Sequence, residues 1–335
     1  MTKIKIGING FGRIGRNVFK LVEEKSNMEV VGINDLTDTK TLAHLLKYDS
    51  TQGKFNGTVT YDANNLIVNG RSVPVTAERS PIDIKWVQTP DVVVEATGIF
   101  RVKESNKGGY GDHLKNGAKK VVLTVPAKDE IDRMIVLGVN ENELRDEDQC
   151  VSNASCTTNC LAPVAKVLND RFGIENGLMT TIHAYTNDQR ILDAPHSDLR
   201  RARSAAVSQI PTTTGAAKAV GKIIPDLNGK LDGMAVRIPT PTGSLVDLVV
   251  NLKTEASKDE INAAMKEAAD GPMKGILEYT EDPIVSVDII HNEHSSIYDA
   301  SAIMVQGKTV KVLSWYDNEW GYSARVVDLI GLFNF

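Results

Sequence analysis

Apolar residues along this chain follow two rhythms, and the change from one to the other divides it. In the first half, short β-rich runs alternate with stretches of helical period. Positions 3–9 and 29–34 read as strands. Between them Ile14, Val18, Leu21 and Val22 recur at i, i+4, i+7 and i+8, the spacing of one helix face. Positions 92–96, 121–125 and 135–139 are continuous apolar runs, as expected of strands buried on both faces. Strands alternating with helices predict a parallel, doubly wound sheet. Two hairpin-like segments, 57–61 and 66–75, interrupt it, and Asn69-Gly70 has the chemistry of a tight turn.

The pattern changes after residue 152. A helix is predicted over 156–170, with Pro163 removing one backbone donor and bending it. Long β-rich segments follow at 177–186, 232–237, 244–253 and 308–316. Ser257-Lys258-Asp259-Glu260 is a capping box that opens a helix to about Ala269. A last amphipathic helix covers 322–332. The fold class expected is α/β: an N-terminal doubly wound, Rossmann-type domain, then an α+β catalytic domain with a long, largely antiparallel sheet. The boundaries expected are 1–152 for the first domain, completed by a C-terminal helix 318–335, and 153–317 for the second.

Composition narrows the function classes. With 335 residues the chain has length for two full cores. A net charge of −5 gives no support for a broad nucleic-acid or anionic-membrane surface, so neither partner is expected. The segment 1–6 runs straight into a strand and lacks a secretory apolar core, and no apolar run reaches membrane-spanning length. A cytoplasmic enzyme is expected. Cys150, Cys156 and Cys160 cluster within eleven residues, unlike a disulfide framework, and no second Cys/His pair has finger spacing. No metal is expected.

Gly10-x-Gly12-x-x-Gly15 follows a strand and opens a helix, the context in which this motif binds a dinucleotide. The pyrophosphate would sit on the N–H groups of Arg13 and Ile14 at the helix start. Asp35, 20 residues after Gly15, stands where an acid accepts ribose hydroxyls and repels a 2′-phosphate, which favours NAD over NADP. Thr97-Gly98, just beyond a central strand, would lie at the same sheet edge.

Asn153-Ala154-Ser155-Cys156-Thr157-Thr158-Asn159-Cys160 places a thiol where a helix begins. Free N–H groups and the helix dipole there favour thiolate, the form that attacks carbonyls. His183 follows 27 residues later in an apparent strand. A cysteine and a histidine so placed suggest covalent catalysis on an aldehyde, with the imidazole as base. The segment 187–210 carries Arg190, Arg200, Arg201 and Arg203 and few large apolar residues. A loop of this length is usually functional or interfacial, and arginines suit phosphate. Ile210-Pro211-Thr212-Thr213-Thr214-Gly215 reads as a helix start offering hydroxyl and backbone donors to an anion.

These residues resemble the phosphorylating glyceraldehyde-3-phosphate dehydrogenase family over essentially the full chain. The likeness is carried by 8–16, 34–36, 43–50, 152–160, 198–203 and 315–323, and the Ser-x-Cys-Thr-Thr-Asn-Cys signature is highly specific. The resemblance implies Cys156 as nucleophile, His183 as base, and Asn318 as holder of the nicotinamide carboxamide. It implies Thr186 and Arg237 for the substrate phosphate, and Ser155, Thr157 and Thr214, beside Gly215, for inorganic phosphate. Arg201 resembles a further phosphate-site arginine, on a loop that lies at a tetramer interface in the family. Glyceraldehyde 3-phosphate, inorganic phosphate and NAD would be the ligands, in a homotetramer.

Some segments depart from the family. Gly108, Gly109 and Gly111 stand where a more regular helix is usual, and Thr242-Gly243-Ser244 replaces a more apolar stretch. Both are expected to leave the catalytic set untouched. Ala194 precedes Pro195 in the region that resembles the family's NAD/NADP discriminator, so NAD with some use of NADP is expected. The alternative is an erythrose-4-phosphate dehydrogenase that releases its acid to water. Thr186 and the run 212–215 keep the phosphate-using pattern.

Overall fold

The computed structural model describes residues 3–335; Met1 and Thr2, part of the segment read as running into the first strand, lie outside the described residues. The chain divides into two compact units. The first is Met1–Ile135, Asn142–Ala154 and Ser323–Phe335; the second is Val136–Glu141 and Ser155–Tyr322.

In the first unit the order is β1 (Ile4–Asn9), α1 (Arg13–Glu23), β2 (Met28–Asn34), α2 (Thr39–Lys47), β3 (Val59–Tyr61), β4 (Asn65–Val68), β5 (Arg71–Thr76), β6 (Val92–Glu95), α3 (Asp112–Lys115), β7 (Lys120–Leu123), β8 (Arg133–Met134) and β9 (Cys150–Ser152). They form a nine-stranded sheet, β3-β4-β5-β2-β1-β6-β7-β9-β8. From β5 to β8 every pairing is parallel, whereas β3, β4 and β5 form antiparallel hairpins. The order reverses at β1, which lies between β2 and β6. A doubly wound sheet opens a crevice at such a reversal. The turn from β4 to β5 is Asn69-Gly70, both at positive φ (50° and 80°), the backbone of a two-residue hairpin whose twist matches its strands.

One expected strand is absent. Positions 135–139 are buried and apolar at Ile135 and Val136, but the chain turns there instead of extending. Gly138 sits at φ 80°, the Val139 N–H donates to the Val136 carbonyl, and the Asn140 side chain accepts from the Val136 N–H. Local hydrogen bonding takes the donors that a ladder would need. The strand of this region is the shorter β8, just before it.

The second unit contains α4 (Cys156–Phe172), β10 (Ile174–Ala184), β11 (Ile210–Thr213), α5 (Ala216–Ile223), β12 (Leu231–Ile238), β13 (Ser244–Leu252), α6 (Lys258–Asp270), β14 (Leu277–Thr280), β15 (Ser296–Gln306), β16 (Thr309–Tyr316) and the start of α7 (Trp320–Gly331). The sheet order is β11-β12-β10-β13-β16-β15-β14, antiparallel except for β10–β12 and β14–β15. Helix α6 opens with both bonds of the Ser257/Glu260 capping box.

The expected helix start at 210–215 is in its larger part the strand β11, paired antiparallel with β12; the helix begins at Ala216. Strands β14 and β15 have no counterpart in the sequence reading. The buried half of β15 carries Ser296 and Asp299, and Asp299 is accommodated by the Trp315 Nε1–H and the Ser301 hydroxyl. Polar residues inside a strand blur the apolar signal that sequence reading depends on.

Candidate active site

The first unit contains the elements of a dinucleotide cradle. A Cβ on Gly15 would lie 2.1 Å from the Gly10 carbonyl oxygen, so only glycine lets α1 follow β1 so closely. Gly12, by contrast, has no atom within 4 Å of a Cβ position, and no side chain caps α1. Helices α2, α4 and α6 are each capped by a side chain. An uncapped helix N-terminus beside open space fits a phosphate. Arg13 and Ile14 are the first two residues of that helix.

Asp35 joins the end of β2 to this loop. Its Oδ2 accepts the Phe11 N–H (2.7 Å) and its Oδ1 the Thr37 N–H (3.0 Å). Each oxygen keeps acceptor capacity for a ribose hydroxyl. A second carboxylate, Glu95, was missed in the sequence. It is buried, accepts the Asn9 Nδ2–H at 2.6 Å, meets His113 Nε2 at 2.9 Å, and accepts the Thr97 N–H at 3.0 Å. Asn34 extends the chain to Asn9 at 2.8 Å. This network ties the loops after β1 and β6 together and holds Thr97-Gly98. Its only sequence signal is an acid ending a run of three valines.

In the second unit Cys156 is the first residue of α4, behind the cap Ser155, whose Oγ accepts the Thr158 N–H at 3.1 Å. Cys156 Sγ lies 3.5 Å from Nε2 of His183 on β10. The three cysteines are not equivalent. Cys150 and Cys160 are buried and burial pushes both thiols up to about 12, whereas Cys156 is partly exposed.

The protonation state differs from the expectation at the helix start. Desolvation pushes the Cys156 thiol up, and Arg237 and the Thr157 donors oppose this without overcoming it. Burial, then Arg237, push the His183 imidazole down to about 3. Both shifts run toward the uncharged forms of thiol and imidazole. The helix dipole reaches the sulfur, but removing a charge from water outweighs it.

Arg237 is the register partner of His183 on the adjacent strand β12. Its Nη1 lies 2.7 Å from His183 Nδ1 and 3.0 Å from the Ala184 carbonyl oxygen, and Nδ1 itself is 2.7 Å from that carbonyl. Arginine only donates and a carbonyl only accepts, so Nδ1 bonds to one of the two at a time: unprotonated it accepts from the guanidinium, and protonated it donates to the Ala184 carbonyl.

The other expected site residues cluster in part. Thr157 is buried, with its hydroxyl 2.9 Å from Tyr316 Oη, which in turn lies 2.8 Å from Thr181 Oγ1. Arg201 pairs with Asp188 of its own loop and donates from Nε to Thr212 Oγ1 on β11 at 3.0 Å. Thr186 follows β10 and donates its N–H to Gln189 Oε1 at 3.1 Å. Thr214 and Gly215 precede α5, with Thr214 Oγ1 accepting the Ala216 N–H at 3.2 Å. Asn318 is buried and receives a 2.8 Å hydrogen bond at Oδ1 from Ser244. That contact ties the segment 242–244 to a residue of the expected cofactor set. A lone serine at the head of a strand gave no sign of it.

A dinucleotide cradle in one unit and a thiol–imidazole–guanidinium cluster in the other are the parts expected of an NAD-dependent dehydrogenase. Two family models match. Residues 4–103 match the NAD binding domain of glyceraldehyde 3-phosphate dehydrogenase, and 155–318 match the C-terminal domain of the same enzyme. The chain is 61% identical to glyceraldehyde-3-phosphate dehydrogenase of Borreliella burgdorferi over 331 residues, covering 97% of this chain and 98% of that one. It is 56% identical to glyceraldehyde-3-phosphate dehydrogenase 1 of Bacillus subtilis and 57% identical to the Geobacillus stearothermophilus enzyme, each over 329 residues and 97% of both chains. The chain belongs to the glyceraldehyde-3-phosphate dehydrogenase family.

Proposed function

We propose that the chain oxidises D-glyceraldehyde 3-phosphate with NAD and passes the acyl group to inorganic phosphate, releasing 1,3-bisphosphoglycerate. The observation that carries this reading is the Cys156 Sγ–His183 Nε2 contact of 3.5 Å beside a buried guanidinium, in a chain of this family. NAD, held on Gly10, Gly12, Arg13, Ile14, Gly15, Asp35, Thr97, Gly98 and Asn318, supplies the hydride acceptor.

The substrate phosphate draws Arg237 toward itself, with Thr186. Released from the guanidinium, His183 Nδ1 takes the ring proton and donates it to the Ala184 carbonyl. Nε2 then becomes the acceptor that faces the thiol, and losing the neighbouring positive charge raises its basicity. The sulfur attacks the aldehyde carbon while Nε2 takes the thiol proton and returns it to the new alkoxide. As hydride leaves that carbon, Nε2 takes the hydroxyl proton and a thioester remains on Cys156. Inorganic phosphate, bound by Ser155, Thr157, Arg201, Thr214 and Gly215, attacks the thioester and the thiolate departs. Tyr316, itself bonded to Thr181, holds the Thr157 hydroxyl in place.

Four large apolar side chains of the loop 187–210 support a homotetramer with this loop at an interface: Ile191, Leu192, Leu199 and Val207 are 75–80% exposed. Three free cysteines support a reducing compartment, the cytoplasm.

The decisive test is the initial rate of NADH formation from glyceraldehyde 3-phosphate and NAD, with and without inorganic phosphate. Turnover that requires phosphate is the expected result. Equal turnover without it would mean that water resolves the thioester, and erythrose 4-phosphate would be the next substrate to try. A further prediction concerns Asp35. Its carboxylate holds the Phe11 N–H and is the ribose anchor, so Asp35→Ala should raise the NADP/NAD ratio of kcat/KM about tenfold, the equivalent of about 1.4 kcal/mol. An unchanged ratio would remove Asp35 from that role.

A further inference from the structure

Ser244 opens β13 and is 1% exposed. Its Oγ accepts the Ala184 N–H at 3.1 Å and lies 2.8 Å from Oδ1 of Asn318. A hydroxyl carries one proton. Buried as it is, that proton needs an acceptor, and Asn318 Oδ1 supplies it. Turning the carboxamide over would set its NH2 against the serine and leave the hydroxyl proton without a partner, at a cost of about 1–3 kcal/mol. The hydroxyl thus decides which end of the Asn318 amide faces the ligand.

The surroundings keep both residues in place. Asp317 Oδ1 accepts the Thr242 hydroxyl at 3.1 Å and the N–H groups of Glu319 and Trp320 at 2.9 Å each, which fixes the turn carrying Asn318. Gly243, between Thr242 and Ser244, is at φ 86°, and a Cβ there would lie 2.4 Å from the Ser286 carbonyl oxygen. The segment 242–244 therefore enters β13 along one path. The Ala184 residue that donates to Ser244 offers its own carbonyl to His183 Nδ1 and Arg237.

We propose that Ser244 is a positioning residue for the cofactor: it locks Asn318 with Nδ2 toward the site, so that Asn318 donates to the carbonyl oxygen of the nicotinamide carboxamide and fixes one face of that ring for hydride transfer. This rests on the reading of Asn318 as the carboxamide ligand. Without the serine hydroxyl both ends of the Asn318 amide are presented, and the ring binds in two orientations.

The test compares Ser244→Ala, Asn318→Ala and the double variant. Two readouts are independent of turnover: the NAD dissociation constant by calorimetry, and the glycosidic orientation of bound NAD by transferred nuclear Overhauser effects. Ser244→Ala should weaken NAD about 3- to 10-fold and show two orientations where the parent protein shows one. Added to Asn318→Ala, it should change the dissociation constant by less than about twofold, because coupled residues are not additive. If Asn318→Ala shifts both readouts and Ser244→Ala shifts neither, the positioning role is overturned. A full additional loss in the double variant would also overturn it, because the serine would then act apart from Asn318. If Asn318→Ala itself leaves both readouts unchanged, the parent reading of Asn318 fails instead.

Discussion

Cys156→Ser should lower dehydrogenase turnover about 10⁴-fold or more while the NAD dissociation constant stays within about twofold. Sulfur gives up its proton far more easily than a serine oxygen does. The base beside it is weak, since burial and Arg237 push the His183 imidazole down to about 3. That imidazole can assist a thiol once the substrate phosphate has engaged Arg237, but it has no capacity for an alcohol. NAD binding is spared because serine keeps nearly the volume of cysteine and none of the residues proposed to hold NAD is changed. Cys160→Ser is the control. Cys160 is buried, one helical turn along α4, with Sγ 3.6 Å from the Ser314 carbonyl oxygen, and its replacement should leave most turnover in place. Steady-state rates and calorimetry on both variants decide the matter. Parent-level turnover in Cys156→Ser would remove it as the nucleophile.

His183→Asn should lower kcat about 10²- to 10⁴-fold, the usual contribution of a positioned base. It should also alter stability in acid. An exposed imidazole titrates near 6.5, whereas in the folded protein His183 is pushed down to about 3. The unfolded chain therefore binds a proton first. Above pH 6.5 both states are neutral and the native contribution is complete. As pH falls from about 6.5 toward 3, protonation of the unfolded chain draws the equilibrium away from the fold, by an amount on the order of 4 kcal/mol for a shift of this size. Asparagine has no such proton. The urea midpoint of His183→Asn should fall less steeply between pH 6.5 and 4 than that of the parent protein. Equal slopes would mean that His183 is not held neutral by its surroundings.

The dinucleotide loop was legible because its chemistry is local. Gly10 packs against Ala96 and Thr97 after β6 and Gly12 faces open space, but the spacing that signals the loop, and the close approach of Gly15 to the Gly10 carbonyl, lie within one strand–turn–helix. The same holds for the Asn69-Gly70 turn and the Ser257/Glu260 box. The reading failed where a local hydrogen bond overrode an apolar run, at 135–139, and where buried polar residues disguised a strand, in β15. It also failed where a side chain acts on a distant partner. Thr242-Gly243-Ser244 looked like a neutral departure, yet Ser244 bonds to Asn318, 74 positions away.

By itself the sequence determined the doubly wound cradle, the helix that begins at Cys156, and the identity of the residues able to do thiol chemistry. These depend on side-chain type and on spacings within one or two elements. Only the tertiary structure decided which of three cysteines is accessible, that Arg237 reaches His183 across 54 positions, and that Thr157 meets Tyr316 across 159. It also decided the charge states. The helix start favours a thiolate at Cys156, but the surrounding protein removes water from sulfur and imidazole alike, and that desolvation shifts both toward their uncharged forms.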